Sequence, residues 1–230
     1  MTADITRKRI LDSAELIFAE TGFAGASIRA ITTRAGADPG AARYHFGNKD
    51  ALFSAVLRRR ILPLCEERKR LLKVALQTRP DDVERIVEAF MLPAIRLVTH
   101  KGHGASWMLL MARLRVEQGV YLEGVQAAYK DLLNSFLKAI QNALPAIPRD
   151  EIAYRLHFMF GTQVNTMIND GTLHALSEGL DDVSEDPQGT LERLVRFVSA
   201  GMRAEYPKAV QVRSVLDEPE IANGRGQSVF

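Results

Sequence analysis

The sequence has little of what marks an exported or membrane-spanning protein. Cys65 is its single cysteine, so no disulfide can form within the chain, and this usage fits a reducing compartment. The longest uninterrupted apolar run covers Trp107 to Ala112, far short of the roughly 20 residues that cross a bilayer. The N-terminal stretch MTADITRKRI lacks the apolar core of a secretory signal. We therefore expect a cytoplasmic protein without a membrane partner.

The sequence also lacks a pattern that indicates catalysis or metal binding. His100 and His103, in HKGH, have no third ligand nearby, and a solvated loop or helix end accounts for them better than a metal site. His157 and His174 have acidic neighbours, but neither a nucleophile motif nor a phosphate-binding glycine loop accompanies them. We expect no enzyme, no cofactor and no metal, and a helical enzyme is the less favoured alternative.

The charge is small overall but unevenly distributed. The 230 residues are 47% hydrophobic and 25% charged, with a net charge of +2, which is typical of a globular protein with a buried core. Residues 1–60 contain ten Lys and Arg against six Asp and Glu, so the remainder of the chain is net negative. A basic N-terminal part facing phosphates is one interpretation, and an ordinary solvated surface is the other.

Hydrophobic spacing predicts the fold class. Apolar residues recur at helical intervals along almost the whole chain, and no sustained alternation indicates a strand. The sequence therefore predicts an all-α protein. The first helix is expected to carry a regular apolar face and to end at Gly22. That face consists of Ile10, Ala14, Ile17, Phe18 and Thr21.

Two short helices are expected to follow. Ser27 is a favourable N-cap for a helix that ends at Gly36, and Asp38 with Pro39 begins another that ends by Gly47. Because the turn between them is tight and contains a glycine, the pair fits a helix-turn-helix, whose second helix enters the DNA major groove. Spacing alone leaves another small three-helix cluster open, since any such cluster needs similar turns.

The remaining helices predict two domains. Asn48 caps a long helix, 49–74, which Pro63 is expected to bend. We expect residues 1–50 to form the helix-turn-helix domain and residues 51–206 a larger helical domain, followed by a flexible tail at 207–230. The later helices are predicted at about 81–99, 104–117, 119–143, 149–170 and 188–205.

The segment from Ile10 to Phe53 carries a specific family resemblance. It reads ILDSAELIFAETGFAGASIRAITTRAGADPGAARYHFGNKDALF. Three spaced elements, Ala14 to Phe23, Ser27 to Gly36 and Tyr44 to Phe53, resemble the DNA-binding domain of the TetR family and cover about a fifth of the chain. The resemblance implies a homodimeric regulator that binds double-stranded DNA and responds to a small molecule.

The resemblance also implies which residues meet DNA. Ser27 and Lys49, each at a helix N-terminus, would contact phosphates. The residues expected at the backbone, at base edges or beside the groove are Arg29, Pro39, Gly40, Arg43, Tyr44 and His45. Arg43 is the preferred base reader because a guanidinium can bond guanine at two acceptors. Many family members have an aromatic residue there, and Ala42 replaces a larger aliphatic one. Packing is the alternative role for His45, and Phe46 is expected in the core.

The last two long helices are expected to form a dimer interface. The helix at 149–170 is apolar almost all round, so it must be covered on more than one side, and the helix at 188–205 carries an apolar stripe. In TetR-type regulators the corresponding helices pair with their copies as a four-helix interface. The alternative is that both helices complete the core of a monomer.

A second resemblance points to the effector. Tyr154 to Met167 and Arg196 to Ala204 look like the C-terminal domain of the PsrA-type branch, whose known member responds to long-chain fatty acids. This implies a repressor released by a long-chain fatty acid or acyl-CoA, and a drug-like or aromatic effector is the alternative. Seven residues are candidates for the wall of an apolar effector pocket as a set, while for each of them alone a place in the core is the favoured role. The candidates are Phe90, Leu97, Trp107, Met108, Met111, Phe158 and Met167.

Overall fold

The computed structural model describes residues 2–99, 106–107, 109–110, 123–167, 172–177 and 185–206. These ranges contain helices and turns and no strand, which confirms the all-α prediction for the described part of the chain. We number the helices in chain order, and their bounds are α1 Thr2–Gly25, α2 Ile28–Ala35, α3 Pro39–Phe46, α4 Lys49–Thr78, α5 Val83–Thr99, α6 Glu123–Ala143, α7 Arg149–Met167, α8 Thr172–Ser177 and α9 Pro187–Arg203.

We call α1 to α3 the head and α5 to α9 the body. In α1 the helical backbone breaks at Gly22, where φ is 72°, and one further turn follows to Gly25. The predicted stop at Gly22 is therefore a kink, with the helix resuming after it. The inner face of α1 is completely buried at Ile10, Ala14 and Phe18. The ring of Phe18 packs edge-on against that of Phe53 from α4, with centroids 4.5 Å apart.

Local capping explains where α2 and α3 begin and end. The Ser27 hydroxyl accepts a hydrogen bond from the amide of Ala30 at 3.1 Å, and the Asp38 carboxylate accepts one from Gly40 at 2.7 Å. Gly36 ends α2 in the left-handed region, with φ of 57°. A Cβ at Gly36 would lie 2.4 Å from the guanidinium of Arg9, which donates to the Gly36 carbonyl. These contacts fix a tight turn between α2 and α3.

Helix α4 belongs to both the head and the body. The Asn48 side chain caps it by accepting a hydrogen bond from Ala51 at 2.8 Å. The helix continues through Pro63 to Thr78, one turn beyond the predicted end at 74. Its first half packs against α1 and α3, and α5 and α6 also pack against it. One continuous helix therefore carries the head on the body.

A buried acidic residue fastens α1 to α4. The Glu15 side chain is 0% exposed and lies against two consecutive arginines of α4. Arg59 donates to Oε2 at 2.5 Å, and Arg60 donates to Oε1 at 2.8 Å. Arg59 also bonds the Asp12 carboxylate at 2.6 Å. Because the carboxylate is fully paired, its burial is compatible with a stable contact.

The body places four helices around a common core. Helix α5 packs against α4 and α9, while α6 and α7 pack against each other. The core includes Phe90 and Met91 of α5, Phe136 of α6 and Met159 of α7. The short helix α8 was not predicted. Most of the helix expected at 104–117 lies outside the described residues, as do the tail at 207–230 and the pair His100 and His103.

Candidate functional site

Helix α3 turns one face inward and leaves the other in solvent. Ala42 is buried on the inner face, where small side chains let α3 pack closely. Arg43 and Tyr44 follow on the outer face, and Tyr44 is 84% exposed. Pro39 and Gly40 are also exposed, at the N-terminus of the helix. The surface that the sequence assigned to the groove is therefore open.

The aromatic residues at the end of α3 form a connected group. The His45 ring is half-buried and lies 5.1 Å from the ring of Tyr44 and 6.1 Å from that of Phe46. Phe46 is also half-buried and packs against the core, so it is less enclosed than expected. The Arg7 guanidinium lies 5.4 Å from its ring centroid. These contacts pack the C-terminal end of α3 against the core.

Lys49 has partners that the sequence did not indicate. Its Nζ donates to the carbonyls of Phe23 at 2.9 Å and Ala26 at 3.1 Å, and it lies 4.4 Å from the Phe23 ring centroid. These bonds tie the start of α4 to the segment between α1 and α2. An ammonium has three donors, so one N–H remains for a phosphate. Ser27 and Arg29 are exposed at the start of α2, close in sequence to this junction.

The candidate effector residues do not form one wall. Phe90, Trp107 and Met167 are buried, and Phe90 meets Phe136 edge-on with centroids 5.1 Å apart. Leu97 is half-buried and lines a separate open cleft of about 400 Å³ between α4 and α5. The side chains of Met108 and Met111 lie outside the described residues.

Phe158 is wrongly assigned by the sequence analysis to an interior wall. It is 63% exposed on α7, beside Tyr154, whose ring centroid is 6.4 Å away. The reason is the periodicity of α7, because Leu156 and Met159 take the inward positions and turn Phe158 outward. Phe197 of α9 is likewise exposed. Helices α7 and α9 therefore present large aromatic side chains to the outside of the single chain.

A cleft of about 260 Å³ lies between α6 and α7, in residues that the sequence analysis did not assign to the effector site. Its lining is mostly apolar and consists of Tyr129, Leu133, Asn134, Leu137, Ala153, Leu156, His157 and Phe160. The Tyr129 and Phe160 rings meet edge-on at its wall, with centroids 6.2 Å apart. The volume is just below the range typical of small-molecule sites, roughly 300 Å³ and upwards.

A buried arginine lies at the centre of the body. Arg68 of α4 is 1% exposed, and its Nε donates to the Phe90 carbonyl at 2.8 Å. Its Nη2 donates to Gln163 Oε1 at 2.6 Å, while Nη1 has no hydrogen-bond partner among the described residues. Burial lowers the pKa of Arg68, and the nearby Tyr129 opposes that change. No pattern in the sequence indicates this site, because its partners are far apart along the chain.

Two family models match the chain, one in its N-terminal part and one in its C-terminal part. Residues 10–56 match the model of the bacterial regulatory proteins of the tetR family, and residues 88–201 match that of the tetracyclin repressor-like C-terminal domain. The chain belongs to the TetR family. Its members are regulators and not enzymes, which agrees with the expectation from the sequence.

Curated relatives of this TetR-family protein match about a quarter of the chain. The transcriptional regulator UidR of Escherichia coli (strain K12) is 44% identical over 55 residues, which cover 24% of this chain and 28% of UidR. The transcriptional repressor AcnR of Corynebacterium glutamicum is 42% identical over 53 residues, which cover 23% of this chain and 28% of AcnR. The matched part thus spans between a quarter and a third of these relatives.

Solved structures resemble almost the whole chain. FadR from Bacillus subtilis, in complex with stearoyl-CoA, has a TM-score of 0.63 at 14% identity and covers 85% of this chain and 98% of its own. HlyIIR, a hemolysin II transcriptional regulator, has a TM-score of 0.61 at 16% identity and covers 86% and 98%. At such identities the likeness concerns the fold alone. It confirms the predicted helix-turn-helix domain followed by a larger helical domain. In the described part of this chain, no helix is long and apolar enough to cross a membrane.

Proposed function

We propose that this TetR-family protein is a ligand-responsive transcriptional repressor that acts as a homodimer on a palindromic operator. The observation that carries the proposal is the open outer face of α3, where Arg43 and Tyr44 project from a helix whose other face is anchored by Ala42. Residues 1–50 would bind DNA, and residues 51–206 would bind the effector and the second copy. Helix α4 would carry changes between them.

The proposed DNA contacts divide into two groups. Arg43 would read a guanine edge in the major groove, with Tyr44 and His45 beside it and Pro39 and Gly40 near the backbone. The phosphate contacts would come from Ser27 and Lys49, at the N-termini of α2 and α4, and Arg29 would lie in or beside the groove. In this arrangement the first group supplies sequence preference, and the second supplies affinity that depends on salt.

The proposed dimer interface uses the outer faces of α7 and α9. Tyr154 and Phe158 lie one turn apart on α7, and Phe197 lies on α9, all largely exposed in one chain. Gly161 and Gly201 have open space where a Cβ would stand, which lets a neighbouring helix approach closely. An exposed group of large aromatic side chains is typical of an interaction surface. A second copy would cover these side chains and set the two α3 helices roughly 34–36 Å apart.

The proposed effector is an apolar small molecule, with a long-chain fatty acid or acyl-CoA as the first candidate. Two observations support this class: the resemblance of α7 and α9 to the PsrA-type branch, and the structural likeness to a FadR that was solved with stearoyl-CoA. The apolar cleft between α6 and α7 is the proposed entrance. Effector binding would favour a conformation in which the two heads no longer fit adjacent grooves. A drug-like or aromatic effector is the second candidate, favoured by the aromatic wall formed by Tyr129 and Phe160.

Operator binding tests the central proposal. The full-length protein is titrated onto the DNA upstream of its own coding sequence, with excess unrelated DNA, at several salt concentrations. We expect a specific complex whose affinity falls as salt rises. The double variant Arg43→Ala, Tyr44→Ala should bind at least about tenfold more weakly. The control Arg70→Ala, which removes an exposed pair with Glu67 on the body half of α4, should bind as the parent does. Equal affinity of the parent for upstream and unrelated DNA would contradict the proposal.

Light scattering after size-exclusion chromatography tests the dimer. We expect the parent to be a dimer and Phe158→Glu to be a monomer, because a carboxylate would be desolvated against its own copy. Val74→Glu is the matched control, since Val74 is also an exposed apolar side chain but lies on α4. It should stay dimeric. A monomeric parent, or a dimeric Phe158→Glu, would exclude this interface.

A further inference from the structure

In the part of the chain that the structure describes, the guanidinium of Arg68 is buried without an anionic partner. Among the described residues its hydrogen bonds go to two neutral oxygens, the Phe90 carbonyl and the Gln163 side chain. The other buried charge of comparable depth, Glu15, has two arginines. A buried ion without a counter-ion costs several kcal/mol. The structure therefore contains a strong electrostatic site for an anion inside the body.

The surroundings of Arg68 compensate only part of that cost. Its guanidinium carbon lies 3.9 Å from the ring centroid of Phe90, a favourable contact for a cation. Gln163 is itself held by a bond from its Nε2 to the Met91 carbonyl at 3.3 Å, so its oxygen is oriented towards Arg68. These contacts fix the Nε and Nη2 side of the guanidinium. Among the described residues Nη1, with two N–H donors, has no hydrogen-bond partner, although the guanidinium also interacts with the Tyr129 side chain.

Tyr129 connects this arginine to the cleft between α6 and α7. Burial raises the pKa of the Tyr129 phenol, and the Arg68 guanidinium lowers it, so the two groups interact. The Tyr129 ring also lines the cleft, together with Leu133, Leu137 and Phe160. A molecule in the cleft therefore has an apolar wall along its length, and that wall includes Tyr129, behind which Arg68 is buried.

We propose that Arg68 anchors the effector by pairing with a free carboxylate, whose apolar tail lies in the cleft between α6 and α7. This rests on the proposed function and specifies the chemistry of its effector. The carboxylate accepts hydrogen bonds from Nη1 of Arg68 and from the Tyr129 hydroxyl. A free acid fits better than a coenzyme A thioester, because a thioester presents a neutral carbonyl and its phosphates cannot leave water.

The position of Arg68 on α4 would let effector binding in the body affect the head. Arg68 lies eight residues after Arg60, on the same helix that Glu15 fastens to α1. It also contacts α5 through Phe90 and α7 through Gln163. A carboxylate at Nη1 would change the electrostatics at the point where these three helices meet. Effector binding would then alter how α4 sits in the body.

A comparison of headgroups tests the proposal on the unaltered protein. Laurate, dodecanol and lauroyl-CoA, below their micellar concentrations, are titrated by calorimetry and by the fluorescence of the single tryptophan, Trp107, which is buried. We expect laurate to bind at least about tenfold more tightly than dodecanol, as a charge-assisted hydrogen bond predicts. Equal affinity for the acid and the alcohol, preference for the thioester, or no laurate binding would overturn the proposal.

Variants assign the effect to Arg68. Arg68→Met should weaken laurate about tenfold or more and leave dodecanol unchanged, whereas Arg68→Lys, which keeps the charge, should retain part of the preference. Arg70→Met is the control, because this exposed arginine pairs with Glu67 on the same helix. Unchanged laurate affinity in Arg68→Met would exclude the anchor. If that variant does not fold, the headgroup comparison on the parent still decides.

Operator binding separates this proposal from the proposed function. Specific binding to upstream DNA without fatty acid, combined with equal affinity for laurate and dodecanol, would overturn only the carboxylate anchor. Laurate selectivity that depends on Arg68, without specific DNA binding, would overturn only the regulator. We expect both properties, with laurate weakening the operator complex of the parent and not that of Arg68→Met.

Discussion

The head and the body differ in whether their most deeply buried charge is paired and in which side chains they expose. In the head the buried charge, Glu15, is paired with Arg59 and Arg60, while Arg43 and Tyr44 are left on the outside. In the body the most deeply buried charge among the described residues, Arg68, lacks an anionic partner, whereas the less deeply buried Arg155 pairs with Glu151. The body's outer face instead carries aromatic side chains such as Tyr154, Phe158 and Phe197.

We propose that this difference corresponds to different partners of the head and of the body. A polyanion such as DNA is too large to enter a protein, so the groups that bind it must project from a rigid surface. A small anion with an apolar tail is bound best where water is excluded, and a second copy of the chain needs an apolar face. The opposite arrangements in head and body therefore fit the DNA-binding sensor that we propose.

The largest expected effect comes from breaking the paired charge in the head. Glu15→Gln leaves two arginines facing a neutral, buried amide, and we expect a loss of roughly 3 kcal/mol in the free energy of unfolding. Urea titration followed by circular dichroism measures it. Glu20→Gln, which removes an exposed pair with Arg34, should cost at most about 1 kcal/mol. Similar losses in both variants would contradict the role of burial.

The exposed groups of the head should divide into specific and general contacts. Arg43→Ala should lose roughly 1–3 kcal/mol of discrimination at one base pair, because the bidentate contact is removed. Lys49→Ala should weaken binding to every sequence alike and flatten the salt dependence, and it should also lower the melting temperature, since its bonds to Phe23 and Ala26 are lost. Titration of operator variants at several salt concentrations distinguishes the two patterns. Binding like that of the parent in both variants would contradict both assignments.

The unpaired charge in the body should matter less for stability than the paired one in the head. In the ligand-free protein we expect Arg68→Met to change the free energy of unfolding by about 1 kcal/mol or less, because removing a costly buried charge offsets the loss of two hydrogen bonds. Urea titration without fatty acid measures it. A loss as large as that of Glu15→Gln would mean that the guanidinium is chiefly structural.

The smallest effect concerns the thiol of Cys65, one turn before Arg68 on α4. Burial raises its pKa above the ordinary value of a thiol, although Arg68 and Lys69 oppose that change. A raised pKa means that the thiol stays neutral at pH 8. The neutral thiol contributes to the stability of the fold, and this contribution declines only as the pH rises above the pKa that the thiol has in the unfolded chain. We expect slow labelling by a thiol reagent at pH 8 and rapid labelling in urea. Equally rapid labelling of the folded protein would contradict burial.

The caps were predictable from the sequence because their chemistry is local. Ser27, Asp38 and Asn48 each accept a hydrogen bond from an amide two or three residues further along the chain. The turn at Gly36 follows the same logic, because an αL C-cap favours glycine. The helix-turn-helix therefore follows from short stretches of sequence and from the family motifs that contain them.

The body was less predictable because its contacts are distant and its helices are apolar on several sides. Arg68 and Gln163 are 95 residues apart, and no spacing in the sequence joins them. The pattern of α7 does not tell which apolar face meets its own core, so Phe158 was assigned to the interior. The bonds of Lys49 to Phe23 and Ala26 likewise depend on tertiary packing.

The ion pairs of Glu15 with the two arginines of α4 hold α1 against α4, so the head cannot rotate separately from α4 at that junction. A tilt of α4 would move α1, and with it α2 and α3, as a unit. The outer face of α3, which we propose reads the bases, would then keep its shape. The distance between the two heads of the proposed dimer would change. Induction would consequently lower the affinity for strong and weak operators by a common factor and leave their ranking intact.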